Sequence, residues 1–210
     1  CFKKTYFCEM KIYYVTDIDV FNEDFIEKCV FFFPEWRKDK MLQYKHLKGR
    51  VQNGLAYLLL IKALQDEGIF NELPEFSYNE HGKPFLKNYP EWYFNISHCK
   101  TAVCCVLSKK EIGIDIEEIA AYKESLADYI CNENEFAELQ NSENQAEAFY
   151  RLWTMKEAVF KMLGTGITKE IKNILDTPYI NVETHKIGSY FISISFFKDN
   201  ETTRPQDYKL

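Results

Sequence analysis

The sequence predicts an α+β fold, and three observations carry that prediction. Apolar residues recur at helical spacing over several long segments. Other segments alternate apolar and polar residues, or run apolar for several residues in a row. Three of these extended segments follow one another directly between turn residues, so that strands and helices are grouped instead of alternating one for one. The 210 residues are 46% hydrophobic and 16% aromatic, enough to bury a substantial core, and no linker-like or low-complexity run divides them.

In chain order, Met10 to Val15 reads as a strand, and residues 1–9 ahead of it as an upstream extension or cloning remnant. Asp24 to Phe33 has helical apolar spacing, and Pro34 resets the chain before the basic stretch Trp36-Arg37-Lys38-Asp39-Lys40. From Leu47 to Gln65, apolar residues at Val51, Leu55, Leu58, Leu59 and Leu64 mark a helix, with Gly68 as its stop. Glu75 to Tyr78 and Pro84 to Leu86 flank a His81-Gly82 turn; Trp92 to Ser97, Ala102 to Leu107 and Ile112 to Glu117 are the three successive strands. Helices are expected over Tyr122 to Ile130, Glu133 to Leu139 and Gln145 to Met162, the last ended by Gly164 and Gly166. Alternation returns at Tyr190 to Phe196, a half-buried strand.

A net charge of −6 argues against a general nucleic-acid binder but leaves room for a local basic patch. Seven cysteines, an odd number without CxxC spacing and mostly inside apolar runs, read as reduced structural thiols of a cytoplasmic protein and not as a zinc site. No apolar stretch approaches the ~20 residues that span a bilayer, and the first residues lack the apolar region of a signal peptide. The formal sequons at Asn95 and Asn200 are therefore taken as coincidental.

The chemistry concentrates in two segments, Gly113-Ile114-Asp115-Ile116-Glu117 and Trp153-Thr154-Met155-Lys156-Glu157-Ala158-Val159-Phe160-Lys161. In a strand Asp115 and Glu117 project from one face; in a helix Glu157 and Lys161 share a face, with Trp153 one turn earlier. Three carboxylates and an ammonium can thus converge, which suits a hard oxygen-ligated cation held against a phosphate chain. Taken singly, each feature is ordinary: alternating acids decorate many half-solvated strands, and i,i+4 Glu/Lys pairs are common. Glu118 faces the other way and reads as solvated.

Together with Gly82-Lys83-Pro84 and Phe94-Asn95-Ile96-Ser97-His98, these segments make four motifs in order over residues 82 to 161. In them the chain resembles the Sfp-type 4′-phosphopantetheinyl transferases; outside that core, especially after about Gly166, the likeness is looser. The resemblance implies two similar α+β lobes related by a pseudo-twofold, residues 10–112 and 113–210, with the active site in the cleft between them. It implies Mg²⁺, or Mn²⁺, on Asp115, Glu117 and Glu157, with Glu157 also taking the proton of the attacking hydroxyl and Lys161 stabilising the departing phosphate. Coenzyme A is implied as co-substrate, with Arg50, Lys83, Ser97 and His98 around its adenine and 3′-phosphate, one or two of Arg37, Lys38 and Lys40 in the basic stretch, Lys40 first, adding phosphate contacts, and Lys156 in support. Glu135 is expected near Lys161. The implied partner is an apo acyl or peptidyl carrier protein, docking beside Ile119, Tyr122, Leu126 and Tyr129, and a monomer is expected. The rivals are a non-catalytic coenzyme A-binding module and a metal-dependent phosphodiesterase or pyrophosphatase.

Overall fold

The computed structural model describes residues 2–7 and 10–198, and it is of mixed α+β type. Its first part contains β1 (Lys3–Phe7), β2 (Met10–Thr16), α1 (Glu23–Phe32), α2 (Glu35–Leu42), α3 (Leu47–Asp66), a hairpin of β3 (Phe76–Tyr78) and β4 (Pro84–Leu86), then β5 (Tyr93–His98) and β6 (Ala102–Ser108). These make a four-stranded antiparallel sheet in the order β1-β2-β6-β5, with the hairpin separate. The second part contains β7 (Ile112–Glu118), α4 (Glu124–Ile130), α5 (Glu133–Asn141), α6 (Gln145–Leu163), β8 (Ile180–Ile187) and β9 (Tyr190–Phe197), with the antiparallel order β7-β9-β8. No helix among the described residues is long and apolar enough to cross a membrane.

Period-two patterning divides the cores. One face of the larger sheet, with Tyr13, Val15, Val103 and Cys105, packs on α3 through Val51, Leu55 and Leu59. The opposite face, with Ile12, Tyr14, Cys104 and Val106, forms a second cluster with Ile114, Ile116, Ile192 and Ile194 of the smaller sheet. A third cluster joins α6, through Phe149, Val159 and Met162, to Ala127, Ile130, Leu139 and Ile171.

The other face of β7 and β9 carries Gly113, Asp115, Ser193 and Ser195, and α6 lies directly on it. A Cβ at Gly113 would stand 2.0 Å from the Ala158 carbonyl oxygen, so only glycine permits this approach. Ser195 Oγ donates to that same carbonyl at 2.8 Å, and Ser193 bonds Thr154 at 2.8 Å. Small polar residues on the strand thereby fix the helix that bears Glu157 and Lys161. Gly164, at φ 68°, ends α6 as its spacing predicts.

Three elements were not assigned from the sequence. Trp36–Lys40 lies within a helix, α2, which begins just after Pro34. Residues 3–7 pair along their length with β2 as an edge strand, and Lys4 binds Asp66 at the end of α3 at 3.1 Å. Strand β8 lacked a legible signal because most of its residues are half-buried whichever way they point, which dilutes the alternation.

Candidate active site

The candidate groups meet at the seam between the two parts. Asp115, on β7, is 1% exposed. Its Oδ1 accepts a hydrogen bond from Ser97 of β5 at 2.7 Å and meets the Lys161 ammonium of α6 at 2.5 Å. Lys161 also donates to Ser97 Oγ at 2.7 Å, which closes a three-membered network across both parts of the chain. Glu157 Oε2 lies 3.9 Å from the same ammonium, and Trp153 stands beside Glu117, where its indole N–H favours the carboxylate. Asn95 braces the seam: its Oδ1 accepts from the Ile114 backbone N–H at 3.1 Å, and its amide lies 3.4 Å from the Lys161 carbonyl oxygen.

Three carboxylates thus face one ammonium. Burial, then the Asp115 charge, pushes the Glu117 carboxyl up to about 7, with Trp153 and Lys161 opposing. Burial raises Glu157 as well; Lys161 offsets part of this and Asp115 adds to it. For Lys161, burial disfavours the charge, but Asp115 and Glu157 outweigh it and hold the ammonium above the ordinary lysine range.

Among the described residues no three His, Cys, Asp or Glu side chains stand close enough to ligate one ion as they are placed. The donor set nonetheless fits a hard divalent cation. Asp115 Oδ2 is buried without a hydrogen-bond partner, and two further carboxylates beside it are destabilised as anions by burial and by the Asp115 charge. A cation there would relieve both conditions, and oxygen is the ligand type that Mg²⁺ takes.

Two recesses adjoin the seam. The first, about 430 Å³, is lined by Arg37, Lys40, Tyr44, Tyr57, Tyr78 and His98 among others. Arg37 is 4% exposed, lies over the Tyr57 ring, donates to the Asn53 carbonyl, and keeps a buried Nε without a partner. Lys40 reaches the Tyr78 hydroxyl at 2.5 Å. His98 is open to solvent at one edge; the cleft walls and then the Lys161 charge hold it below the ordinary histidine range. Such a combination of cations and aromatic faces suits a phosphorylated nucleotide. The second recess, about 310 Å³, runs from Glu157 and Lys161 between the β3–β4 turn and the end of α6.

Several expected roles change. Lys156 is 0% exposed, and its ammonium donates to the Ile130, Ile171 and Lys172 carbonyls and to Glu135 at 2.7–2.9 Å. Its donors are used up, so it ties α6 to the α4–α5 corner and not to a phosphate. Glu135 accordingly pairs with Lys156, not Lys161, while its other bond makes a capping box with Asn132. The Ser97 hydroxyl is committed to Asp115 and Lys161, so it orients the seam and is not a free phosphate contact. Arg50 donates to the Tyr44 carbonyl at 2.9 Å and does not line the cationic cleft, whereas Arg37 does. Lys83 donates to the Met162 carbonyl at 2.5 Å, bridging the hairpin to the end of α6. Glu118 accepts a 2.7 Å bond from Thr101 and is only partly exposed.

Sequence reasoning passed over Asn95 as a separate site residue, whereas Arg37 belonged to the basic stretch expected to supply phosphate contacts. The signal for Asn95 was an amide inside an otherwise apolar strand, which in a buried position needs specific partners.

Comparison with known proteins agrees with this geometry. The family model of the 4′-phosphopantetheinyl transferase superfamily matches residues 111–209. The chain is 36% identical over 134 residues to 4′-phosphopantetheinyl transferase gsp of Aneurinibacillus migulanus, covering 62% of this chain and 56% of that protein. It is 26% identical over 188 residues to 4′-phosphopantetheinyl transferase Sfp of Bacillus subtilis (strain 168), covering 88% and 81%. With 4′-phosphopantetheinyl transferase AcpT of Salmonella typhi it shares 42% over 98 residues, 44% of this chain and 50% of that one. For two of these three, then, the match spans only about half the relative's length. The motifs that meet at the seam thus lie in a chain that is similar, over residues 111–209, to the 4′-phosphopantetheinyl transferase superfamily, and to relatives that include its gsp and Sfp proteins.

Proposed function

We propose that the protein transfers the 4′-phosphopantetheine arm of coenzyme A to a serine hydroxyl of an apo acyl or peptidyl carrier protein, releasing adenosine 3′,5′-bisphosphate. The observation that carries this reading is the Ser97–Asp115–Lys161 network with Glu117 and Glu157 beside it, placed where a cationic, aromatic cleft opens.

The serine oxygen attacks the β-phosphorus, the bond from that phosphorus to the oxygen bridging it to the α-phosphate breaks, and the nucleotide leaves with the electron pair. Glu157, whose basicity is raised by burial, accepts the serine proton. Lys161 offsets the charge that grows on the leaving phosphate. Asp115, Glu117 and Glu157 would hold Mg²⁺, with Mn²⁺ the alternative. Such an ion, when bound, supplies charge neutralisation and orientation to a pyrophosphate. Arg37, Lys40 and His98 bind the 3′-phosphate, with Arg50 at the rim beside Tyr44 and Lys83 at the hairpin near the adenine. No nucleophile of the enzyme is used.

The two-lobed arrangement belongs to the same reading. Strands β2, β5 and β6 with α3, and strands β7, β8 and β9 with α6, share one connectivity, strand–helix–strand–strand. They also share one order, first-third-second. This supports two lobes, 10–112 and 113–210, related by a pseudo-twofold, with the ligand between them. A cytoplasmic monomer completes the proposal.

Intact-mass measurement of several apo-carriers incubated with the protein, coenzyme A and Mg²⁺ tests it. The expected product is a carrier heavier by one phosphopantetheine. Bisphosphate released without any carrier would point instead to a phosphodiesterase, and coenzyme A binding with no release would point to a non-catalytic module.

A further inference from the structure

We propose that Asn79 is a positioning residue for coenzyme A: it clasps the tip of the β3–β4 hairpin, which is rooted in the first part of the chain, to the end of the helix that bears Glu157 and Lys161. This deepens the reading above and rests on it.

The hairpin has strands of only three residues each and forms a sheet of its own. A two-stranded ribbon of that size is marginal in water by itself. Its root is fixed, because Phe76 and Leu86 join the first core cluster. Its tip carries Gly82 and Pro84, which line both the cationic cleft and the recess beside Glu157 and Lys161. A nucleotide held in the cleft and a pyrophosphate held at Lys161 must span that junction, so the place of the tip governs how well one molecule reaches both.

One side chain fixes the tip in two directions. Asn79 Oδ1 accepts from the backbone N–H groups of His81 at 3.0 Å and Lys83 at 2.7 Å, which shapes the turn. Asn79 Nδ2 donates across the seam to the Gly164 carbonyl at 3.0 Å, and Lys83 adds a second bond to the Met162 carbonyl. Both acceptors stand at the end of α6, where a helix leaves carbonyls without partners of its own and favours a cation. The two surfaces are in close contact: a Cβ at Gly164 would lie 2.6 Å from Lys83 Cδ and 3.2 Å from Asn79 Nδ2. Asn79 lines neither recess, so it acts on a ligand through the hairpin.

Two substitutions separate the clasp from the turn. Asn79→Asp keeps an oxygen that accepts from His81 and Lys83 but has no amide to donate to Gly164, whereas Asn79→Ala loses both functions. The measurements are calorimetric titration of coenzyme A with Mg²⁺ present, thermal midpoints without ligand, and transfer kinetics on an apo-carrier that the wild type modifies. Both variants are expected to bind coenzyme A about tenfold more weakly and to raise its KM by a similar factor. The kcat, the carrier's KM and the thermal midpoint should stay close to wild type, because Lys161 keeps its own contacts to Ser97 and Asp115. Wild-type affinity in Asn79→Asp would show that only the turn matters, and overturns the clasp. A fall in kcat at unchanged KM overturns it too, as does a thermal midpoint that drops in step with affinity, since the side chain would then brace the fold. Wild-type protein that neither binds coenzyme A nor transfers from it overturns the parent reading, and this one with it.

Discussion

Asp115 and Lys161 illustrate how one residue pair serves stability and chemistry together. A carboxylate that is 1% exposed must be neutralised, and Lys161 does so at 2.5 Å. Lys161→Met should therefore lower stability in chelator by about 3–5 kcal/mol, because it leaves a buried charge unpaired. Mg²⁺ should restore part of that loss without restoring transfer. Denaturant melts with EDTA and with Mg²⁺ read both arms, and equal stability of variant and wild type in EDTA would contradict the pairing. Glu117 supplies a pH signature. Its folded-state pKa, about 7, lies above the unfolded value near 4.5, so the folded chain binds the extra proton between those limits. In EDTA, stability should be fullest below about pH 4.5 and decline as pH rises to about 7. Glu117→Gln should remove that component of the slope. Melting temperatures from pH 4 to 8 that fall in parallel for the two proteins would count against it.

At the scale of elements, α4 separates into two faces that sequence spacing had merged. Tyr122, at its entry, stacks on Phe149 with centroids 4.7 Å apart and bonds Gln145, whereas Leu126 and Tyr129 are 36% and 52% exposed. Tyr122→Ala should accordingly cost roughly 3 kcal/mol of stability. Leu126→Asp and Tyr129→Asp should leave the melting temperature in place and raise the carrier's KM without changing coenzyme A binding. The reverse pattern would move the carrier's docking surface off α4. Lys156 couples elements instead of ligands. Lys156→Met strands Glu135 and three carbonyls, so the α4–α5 corner and residues 171–172 should lose hydrogen-exchange protection together. Protection lost at only one of those places would show that the ammonium does not join them.

Over the whole molecule, the cationic cleft is built from the first half of the chain and two of the seam's three key groups come from the second. Coenzyme A with Mg²⁺ should therefore raise the thermal midpoint, as a ligand of the native state does. Dephospho-coenzyme A should raise it less, since contacts of roughly 1.5–3 kcal/mol each to the 3′-phosphate are missing. Lys40→Ala or His98→Ala should shrink the difference between the two ligands. A difference that persists unchanged in both variants would place the 3′-phosphate elsewhere.

Most of the helices and strands were legible in the sequence, because each buries one face and leaves that period in the residues. The long helices end near their predicted glycines, and the successive strands from Trp92 to Glu117 lie where alternation and apolar runs put them. The acidic strand and the Glu157/Lys161 helix were legible too, since side chains two apart on a strand or four apart on a helix share a face whatever the fold. The partners of those side chains were not legible. That Lys156 turns into the protein while Lys161 reaches Asp115, that Ser97 serves the seam, and that Arg37 lines the cleft in place of Arg50 depend on contacts between residues far apart in the chain. Local period says which face a residue occupies; only the packing of α6 on β7, permitted by Gly113, decides what that face meets.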